Sequence, residues 1–210
     1  MPIRVVLADD HVLVRQGLKS LLEREKFQVV GEASDGQEAV RLSESLHPDI
    51  AVIDISMPIL NGIDAARELG RSCPKTKAIL LTQHEEDQYI REALDAGVKG
   101  YVLKNQVASD LVHAIQQVSQ GQFYLSPGVS RAVMEAYRSK ADSPPDPLTP
   151  RERQVLQLIA EGKSTKDAAS LLGISVKTAE SHRTRLMHKL DIHETASLVR
   201  YAIRQGIVQP

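Results

Sequence analysis

The sequence predicts an α/β domain with a parallel sheet, joined to a small all-helical domain. Three observations carry this. Over residues 1–125, short apolar runs alternate with helix-length amphipathic stretches, the pattern of buried parallel strands with crossover helices. The nine residues Ser139–Pro147 read SKADSPPDP, and three prolines there cannot continue a helix. The last 63 residues, 148–210, carry only helical periodicity and helix-capping signals.

The first domain's elements follow in order. Strands are expected at Arg4–Ala8, Gln28–Glu32, Ile50–Ile53, Lys77–Leu81 and Gly100–Leu103. Helices are expected at Val12–Glu25, Gly36–Leu46, Gly62–Leu69, Gln88–Ala96 and Ser109–Gln120. Five such βα units predict a doubly wound five-stranded parallel sheet in the flavodoxin-like order 2-1-3-4-5. Ser126-Pro127 reads as an N-cap with proline at the first helical position, opening a short helix to about Arg138. The domains are read as 1–125 and 148–210, with 126–147 as linker helix and proline-rich linker.

In the second domain, Thr149-Pro150-Arg151-Glu152 is a capping box, opening a helix that ends near Gly162. Ser164 caps a second helix through Leu172. Gly173-Ile174-Ser175 makes a tight turn, and Ser175 caps a third helix, Val176–Leu190. A fourth runs from about Glu194 to Gln205.

Composition narrows the class. Aromatic residues make up 3% of the 210 residues and Trp is absent, so the cores must be aliphatic. Cys73 is the single cysteine, so no intramolecular disulfide can form, which fits a reducing compartment. There is no signal peptide and no apolar run near the ~20 residues of a membrane span. The expectation is a soluble cytoplasmic protein with no membrane partner. Residues 1–125 hold 13 Lys and Arg against 18 Asp and Glu; residues 126–210 hold 13 against 9. An acidic first part and a basic second part suggest different partners for each.

Five polar residues stand just past the apolar runs. Ile3–Ala8 leads into Asp9 and Asp10, Ile50–Ile53 into Asp54, Ala78–Leu81 into Thr82, and Tyr101–Leu103 into Lys104. Parallel α/β sheets bind ligands beyond the carboxyl ends of their strands. The fold would therefore gather three carboxylates, a hydroxyl and an ammonium at one edge. Hard cations such as Mg²⁺ prefer such oxygens, and three clustered carboxylates gain from a cation between them. Asp54 can act as a carboxylate nucleophile toward phosphorus, with Lys104 and Thr82 holding the phosphoryl oxygens. His11 and His84 border this edge, and hard-cation chemistry favours solvent-facing or supporting roles for both over ligation.

These residues resemble the receiver domain of two-component response regulators. The matching stretches are Val6-Leu7-Ala8-Asp9-Asp10-His11, Val52-Ile53-Asp54-Ile55-Ser56-Met57-Pro58 with Asn61-Gly62, Leu81-Thr82, and Gly100-Tyr101-Val102-Leu103-Lys104. The resemblance implies that Asp54 accepts phosphate from a sensor histidine kinase. It implies Mg²⁺ bound by Asp10, Asp54 and the backbone carbonyl of Ser56, with Asp9 assisting. It further implies that Lys104 pairs with the phosphoryl group and that Thr82 and Tyr101 change conformation together. Two positions depart from the common pattern: Asn105 where many receivers have proline, and Gln83 where many have a small residue. A long amide at Gln83 bears on the lifetime of the phosphorylated form.

Residues 164–190 fit a helix-turn-helix. On a helical wheel, Ala179, His182, Leu186, Met187 and Leu190 share the inward arc, and Lys177, Glu180, Ser181, Thr184, Arg185 and Lys189 point away. Amino-terminal outward residues of a recognition helix meet base edges. Glu180, Ser181 and Thr184 are then the base readers, with Glu180 able to accept from a cytosine amino group. Lys177, Arg185 and Lys189 are phosphate contacts, and Arg183 sits at the edge of the buried arc with its head within reach of a phosphate. His182 is expected to be a satisfied core histidine. This domain resembles the LuxR-type output domain through Leu148–Leu156, Ile159–Ser164, Ile174–Arg183 and Lys189-Leu190. Together the two resemblances identify the chain as a NarL/FixJ-type response regulator that binds promoter double-stranded DNA through the helix Val176–Leu190. They imply a homodimer when phosphorylated or DNA-bound, and leave room for a contact with RNA polymerase.

Two rival readings are a transcription factor of the same fold that uses no phosphate, and an aspartate-nucleophile phosphatase of the haloacid dehalogenase type. Intact Asp9, Asp10, Asp54, Thr82 and Lys104 oppose the first. The second would place an aspartate two residues after the nucleophile, where this chain has Ser56. The sequence is thus read as a regulator rather than an enzyme.

Overall fold

A computed structural model describes residues 2–83, 87–129 and 146–209. The chain forms two compact units, Met1–Ala141 and Asp142–Pro210.

The first unit alternates strand and helix: β1 (Arg4–Ala8), α1 (Val12–Arg24), β2 (Gln28–Ala33), α2 (Gly36–Leu46), β3 (Ile50–Asp54), α3 (Gly62–Ser72), β4 (Lys77–Thr82), α4 (Asp87–Asp95), β5 (Gly100–Leu103), α5 (Val107–Ser119) and β6 (Tyr124–Leu125). The strands are parallel, in the order β2-β1-β3-β4-β5-β6. This is the expected order with a sixth strand added. Two-residue β6 is too short to show any periodicity, and it forms because Tyr124 N–H donates to the Lys99 carbonyl at 3.1 Å.

Successive strand residues face opposite sides, so each central strand supplies two cores. Ala51 and Ile53 of β3, Ala78 and Leu80 of β4 and Tyr101 and Leu103 of β5 pack with Ile63, Ala66 and Leu69 of α3 and Ile90 of α4. Ile50 and Val52, Ile79 and Leu81, and Val102 pack on the other side with Leu18 and Leu22 of α1 and Leu111 and Ile115 of α5. Both faces are covered, which is why the strands read as continuous apolar runs. Each fully buried Leu or Ile contributes ~1.5–3 kcal/mol.

Helix starts follow their caps. Asp35 accepts from Glu38 N–H at 2.8 Å, and Asn61 from Asp64 N–H at 2.9 Å. α3 runs on to Ser72 instead of stopping at Leu69, because Gly70 costs only ~1 kcal/mol inside a helix. Ser126 does not open an α-helix within the described residues. Pro127–Val129 is a 3-10 turn closed by Val129 N–H on the Ser126 carbonyl at 2.9 Å. The rest of the expected helix, and the linker through residue 145, lie outside the described residues.

The second unit holds α6 (Pro150–Ala160), α7 (Thr165–Leu171), α8 (Val176–Leu190) and α9 (Thr195–Arg204). Val155, Leu156, Leu158, Ala168, Ala179, Leu186, Leu198 and Ala202 are buried in it. Thr149 and Glu152 form the expected capping box. Ser164 forms a second one with Asp167, and Ser175 caps α8 by accepting from Thr178 N–H at 3.1 Å.

Candidate functional site

The parallel sheet brings the strand ends of β1, β3, β4 and β5 to one edge, and the expected residues meet there. Asp9 follows β1 and is fully buried. Its two carboxylate oxygens are held separately: His11 N–H donates to Oδ1 at 2.8 Å and Lys104 Nζ lies 2.9 Å from Oδ2. Asp54, the last residue of β3, is 3% exposed, and its Oδ2 also lies 2.9 Å from Lys104 Nζ. The Ser56 N–H in the following turn donates to the Asp54 carboxylate. Thr82 ends β4, is buried, and pairs with Leu103 in the sheet register. Tyr101 is two residues back on the same side of β5, with its ring buried.

The electrostatics follow from that packing. Burial pushes the Asp54 carboxyl above its usual range, and the Lys104 ammonium opposes this without reversing it. Burial works against charge on Lys104 as well, but Asp54 and Asp9 outweigh it and raise its pKa. One ammonium serves two buried carboxylates, and Asp10 adds a third acid. The edge therefore keeps a surplus of negative charge, which suits a divalent cation.

The donor set fits Mg²⁺. Oxygens of Asp9, Asp10 and Asp54 and a ring nitrogen of His11 lie within 4.8 Å of one another. Asp10 Oδ1 is buried and accepts no aligned hydrogen bond among the described residues, although His11 Nδ1 lies 2.8 Å away. Such an oxygen gains most from an ion. His11 itself is 68% exposed at its side chain and faces solvent. Ser56 is half-buried in the turn after Asp54, Gln83 is exposed, and His84 lies outside the described residues.

Arg15 was not singled out by the sequence. Its guanidinium donates to the Asp9 carbonyl at 2.5 Å, and Glu32 lies 3.6 Å from its Nε. The signal was present: α1 starts at the site, so its first turn faces the strand end.

On α8, Ala179 and Leu186 are buried and His182, Met187 and Leu190 are half-buried, as the wheel required. Lys177, Glu180, Thr184 and Arg185 are exposed, and Ser181 is half-buried. His182 points inward but is not satisfied: its Nδ1 is buried with no hydrogen-bond partner among the described residues. Arg183 Nη1 donates to Thr165 Oγ1 at 3.0 Å and Nη2 to Thr195 Oγ1 at 3.1 Å, so it ties α8 to α7 and α9. Lys189 Nζ lies 2.7 Å from Glu152 Oε2, tying the end of α8 to the start of α6.

Among the described residues no helix is long and apolar enough to cross a membrane.

Residues 5–116 match the response regulator receiver domain, and residues 146–202 match the luxR family of bacterial regulatory proteins. The transcriptional regulatory protein MctR of Rhizobium johnstonii is 41% identical over 207 residues, covering 98% of this chain and 95% of that protein. The transcriptional regulatory protein LiaR of Bacillus subtilis is 37% identical, covering 98% and 99%. RcsB of Salmonella enterica serovar Typhimurium bound to promoter P1flhDC superposes with a TM-score of 0.63 at 29% identity, covering 99% of this chain and all of that one. The chain belongs to the NarL/LuxR-type response regulators, the two-component transcriptional regulators that join a receiver domain to a LuxR-type helix-turn-helix domain.

Proposed function

We propose that Asp54 is the phosphoacceptor, that the phosphoryl group comes from a sensor histidine kinase, and that phosphorylation controls promoter binding through α8. The observation that carries this is Lys104 Nζ at 2.9 Å from both Asp9 and Asp54 at a buried strand end. In the transfer, an Asp54 carboxylate oxygen attacks phosphorus. The phosphorus–nitrogen bond of the kinase phosphohistidine breaks, its electron pair stays on the imidazole, and an acyl phosphate forms. Lys104 then exchanges a carboxylate for a phosphoryl oxygen, and Thr82 and Tyr101 rearrange with it. Asp9, Asp10, Asp54 and the Ser56 carbonyl would hold Mg²⁺, which would neutralise charge on the phosphoryl oxygens.

The domain division proposed is a receiver at 1–125, a linker at 126–147 and a DNA-binding domain at 148–210. In the DNA-binding domain, Glu180, Ser181 and Thr184 read bases, while Lys177 and Arg185 contact phosphates. Arg183 and Lys189 reach the backbone only at the expense of the bonds that position α8. A homodimer on DNA is supported by the two RcsB dimers bound to two parallel DNAs. A cytoplasmic location, a non-enzymatic role and an RNA polymerase contact complete the reading.

The test is intact mass after incubation with acetyl phosphate. The wild-type chain gains one phosphoryl group in Mg²⁺ and none in EDTA, and Asp54→Asn gains none. Full labelling of Asp54→Asn would overturn the assignment.

A further inference from the structure

Ser126 is fully buried and stands just past β6, where the chain leaves the sheet. Its hydroxyl accepts from the Leu103 N–H at 3.2 Å and donates to Asp110 Oδ2 at 2.7 Å. Its own N–H donates to the Tyr101 carbonyl at 3.0 Å, and its carbonyl accepts from Val129 N–H at 2.9 Å. Asp110, on α5, also receives the Tyr124 hydroxyl, whose pKa burial and the Asp110 charge push up to about 12. The three polar atoms of Ser126 thus make four hydrogen bonds, the hydroxyl oxygen both accepting and donating. Two of its partners are backbone groups of Tyr101 and of Leu103, the residue before Lys104.

We propose that Ser126 is a positioning residue that couples the Lys104 end of β5 to the departing chain, with Asp110 as its anchor on α5. This rests on the phosphoacceptor reading above and adds its route to the output. When Lys104 exchanges Asp54 for a phosphoryl oxygen, the Leu103–Lys104 backbone shifts. The Leu103 N–H then carries the Ser126 hydroxyl, and the 126–129 turn moves with it. A hydroxyl is required, because one atom must accept from Leu103 and donate to Asp110 at once. An isolated apolar side chain at 126 would leave the Leu103 N–H and an Asp110 oxygen without these partners.

The experiment uses the full chain and a duplex enriched by this protein from a random-sequence DNA pool. Phosphate uptake from acetyl phosphate is measured first by intact mass. Hydrogen exchange is then followed at the Leu103 and Val129 amides of the wild-type chain, with and without phosphorylation. Both amides are expected to change protection together. Ser126→Ala is expected to take phosphate as wild type does, while the phosphorylation-dependent gain in DNA affinity falls roughly fivefold. Asp110→Asn, which keeps an acceptor for the Ser126 hydroxyl, should retain most of the gain. A wild-type chain that takes no phosphate overturns the phosphoacceptor reading and this coupling with it. A phosphorylated chain whose Leu103 and Val129 amides stay unchanged overturns the coupling alone. So does a folded Ser126→Ala that keeps the full gain. If Ser126→Ala does not fold, the wild-type exchange result decides.

Discussion

Gly62 lies directly against the backbone of Asp54: a Cβ at position 62 would sit 2.1 Å from the Asp54 carbonyl oxygen and 2.9 Å from the Ile55 α-carbon. The approach is closed by Gly62 N–H donating to the Ile55 carbonyl at 2.9 Å. The first turn of α3 therefore sets the height of the strand end that carries Asp54. A neighbour made of backbone cannot yield as a flexible side chain does.

Gly62→Ala should displace Asp54 and cost stability of ~1–3 kcal/mol through overpacking. It should also slow phosphate uptake by roughly tenfold or more, since small misplacements of a reacting group are costly. Thermal unfolding and the rate of mass gain from acetyl phosphate measure the two effects. Wild-type kinetics in Gly62→Ala would show that this contact does not position Asp54.

Gln83 follows buried Thr82 and is exposed at the same edge. If Asp54 is phosphorylated as proposed, a long amide one residue past Thr82 is expected to shield the phosphoryl group from water or to orient a water toward it. Gln83→Ala and Gln83→Gly should both change the half-life of the phosphorylated chain, followed by loss of the added mass after acetyl phosphate is removed. Equal half-lives in all three chains would assign Gln83 no part in hydrolysis.

Much of this was legible because each site residue ends an apolar run. Asp9, Asp54, Thr82 and Lys104 declare themselves by interrupting strands, and a parallel sheet leaves them one edge to occupy. β6 was not legible, since Tyr124 and Leu125 pair through backbone groups that leave no mark on two residues. The roles of Arg183 and Lys189 were hidden for a different reason. A helical wheel tells which way a side chain points, and not what another helix places opposite it. Glu152 reads as a capping-box residue, yet it also faces Lys189 from 37 residues away in the chain. Ser126 reads as an N-cap, and its tie to Leu103 and Asp110 depends on β5 and α5 meeting in space.

The Glu152–Lys189 pair predicts how the 142–210 unit responds to acid. Burial raises the Glu152 pKa, but Lys189 and the N–H and hydroxyl of Thr149 outweigh it, so the net pKa is below the ordinary 4.5. A depressed carboxyl stabilises the fold above pH 4.5, and that contribution is lost as pH falls through the lower folded value. Urea unfolding of this unit should therefore weaken below about pH 4.5, and Glu152→Gln should flatten that dependence. Lys189→Ala leaves a buried carboxylate without its counter-charge and should cost ~1–3 kcal/mol at neutral pH. Solvent around the part-exposed ammonium keeps the cost toward the lower end. An unchanged unfolding midpoint in Lys189→Ala would show the pair to be of no consequence.

Lys177 and Glu180 test the proposed separation of affinity from sequence reading. Both are exposed on the first turns of α8, whereas Arg183 and Lys189 are tied to neighbouring helices. Affinity for duplex DNA should fall as salt rises, through counterion release. Lys177→Ala should weaken binding to every sequence and reduce the salt slope by about one, through loss of the proposed phosphate contact. Glu180→Ala should leave the salt slope unreduced and relax discrimination at one base pair by ~1–3 kcal/mol. Lys189→Ala belongs with neither, since its first effect is on the stability of the fold. Binding isotherms on enriched and random duplexes across a salt series distinguish the three. If Lys177→Ala and Glu180→Ala shift both duplexes equally with the same slope, the division between phosphate contact and base reader on α8 fails.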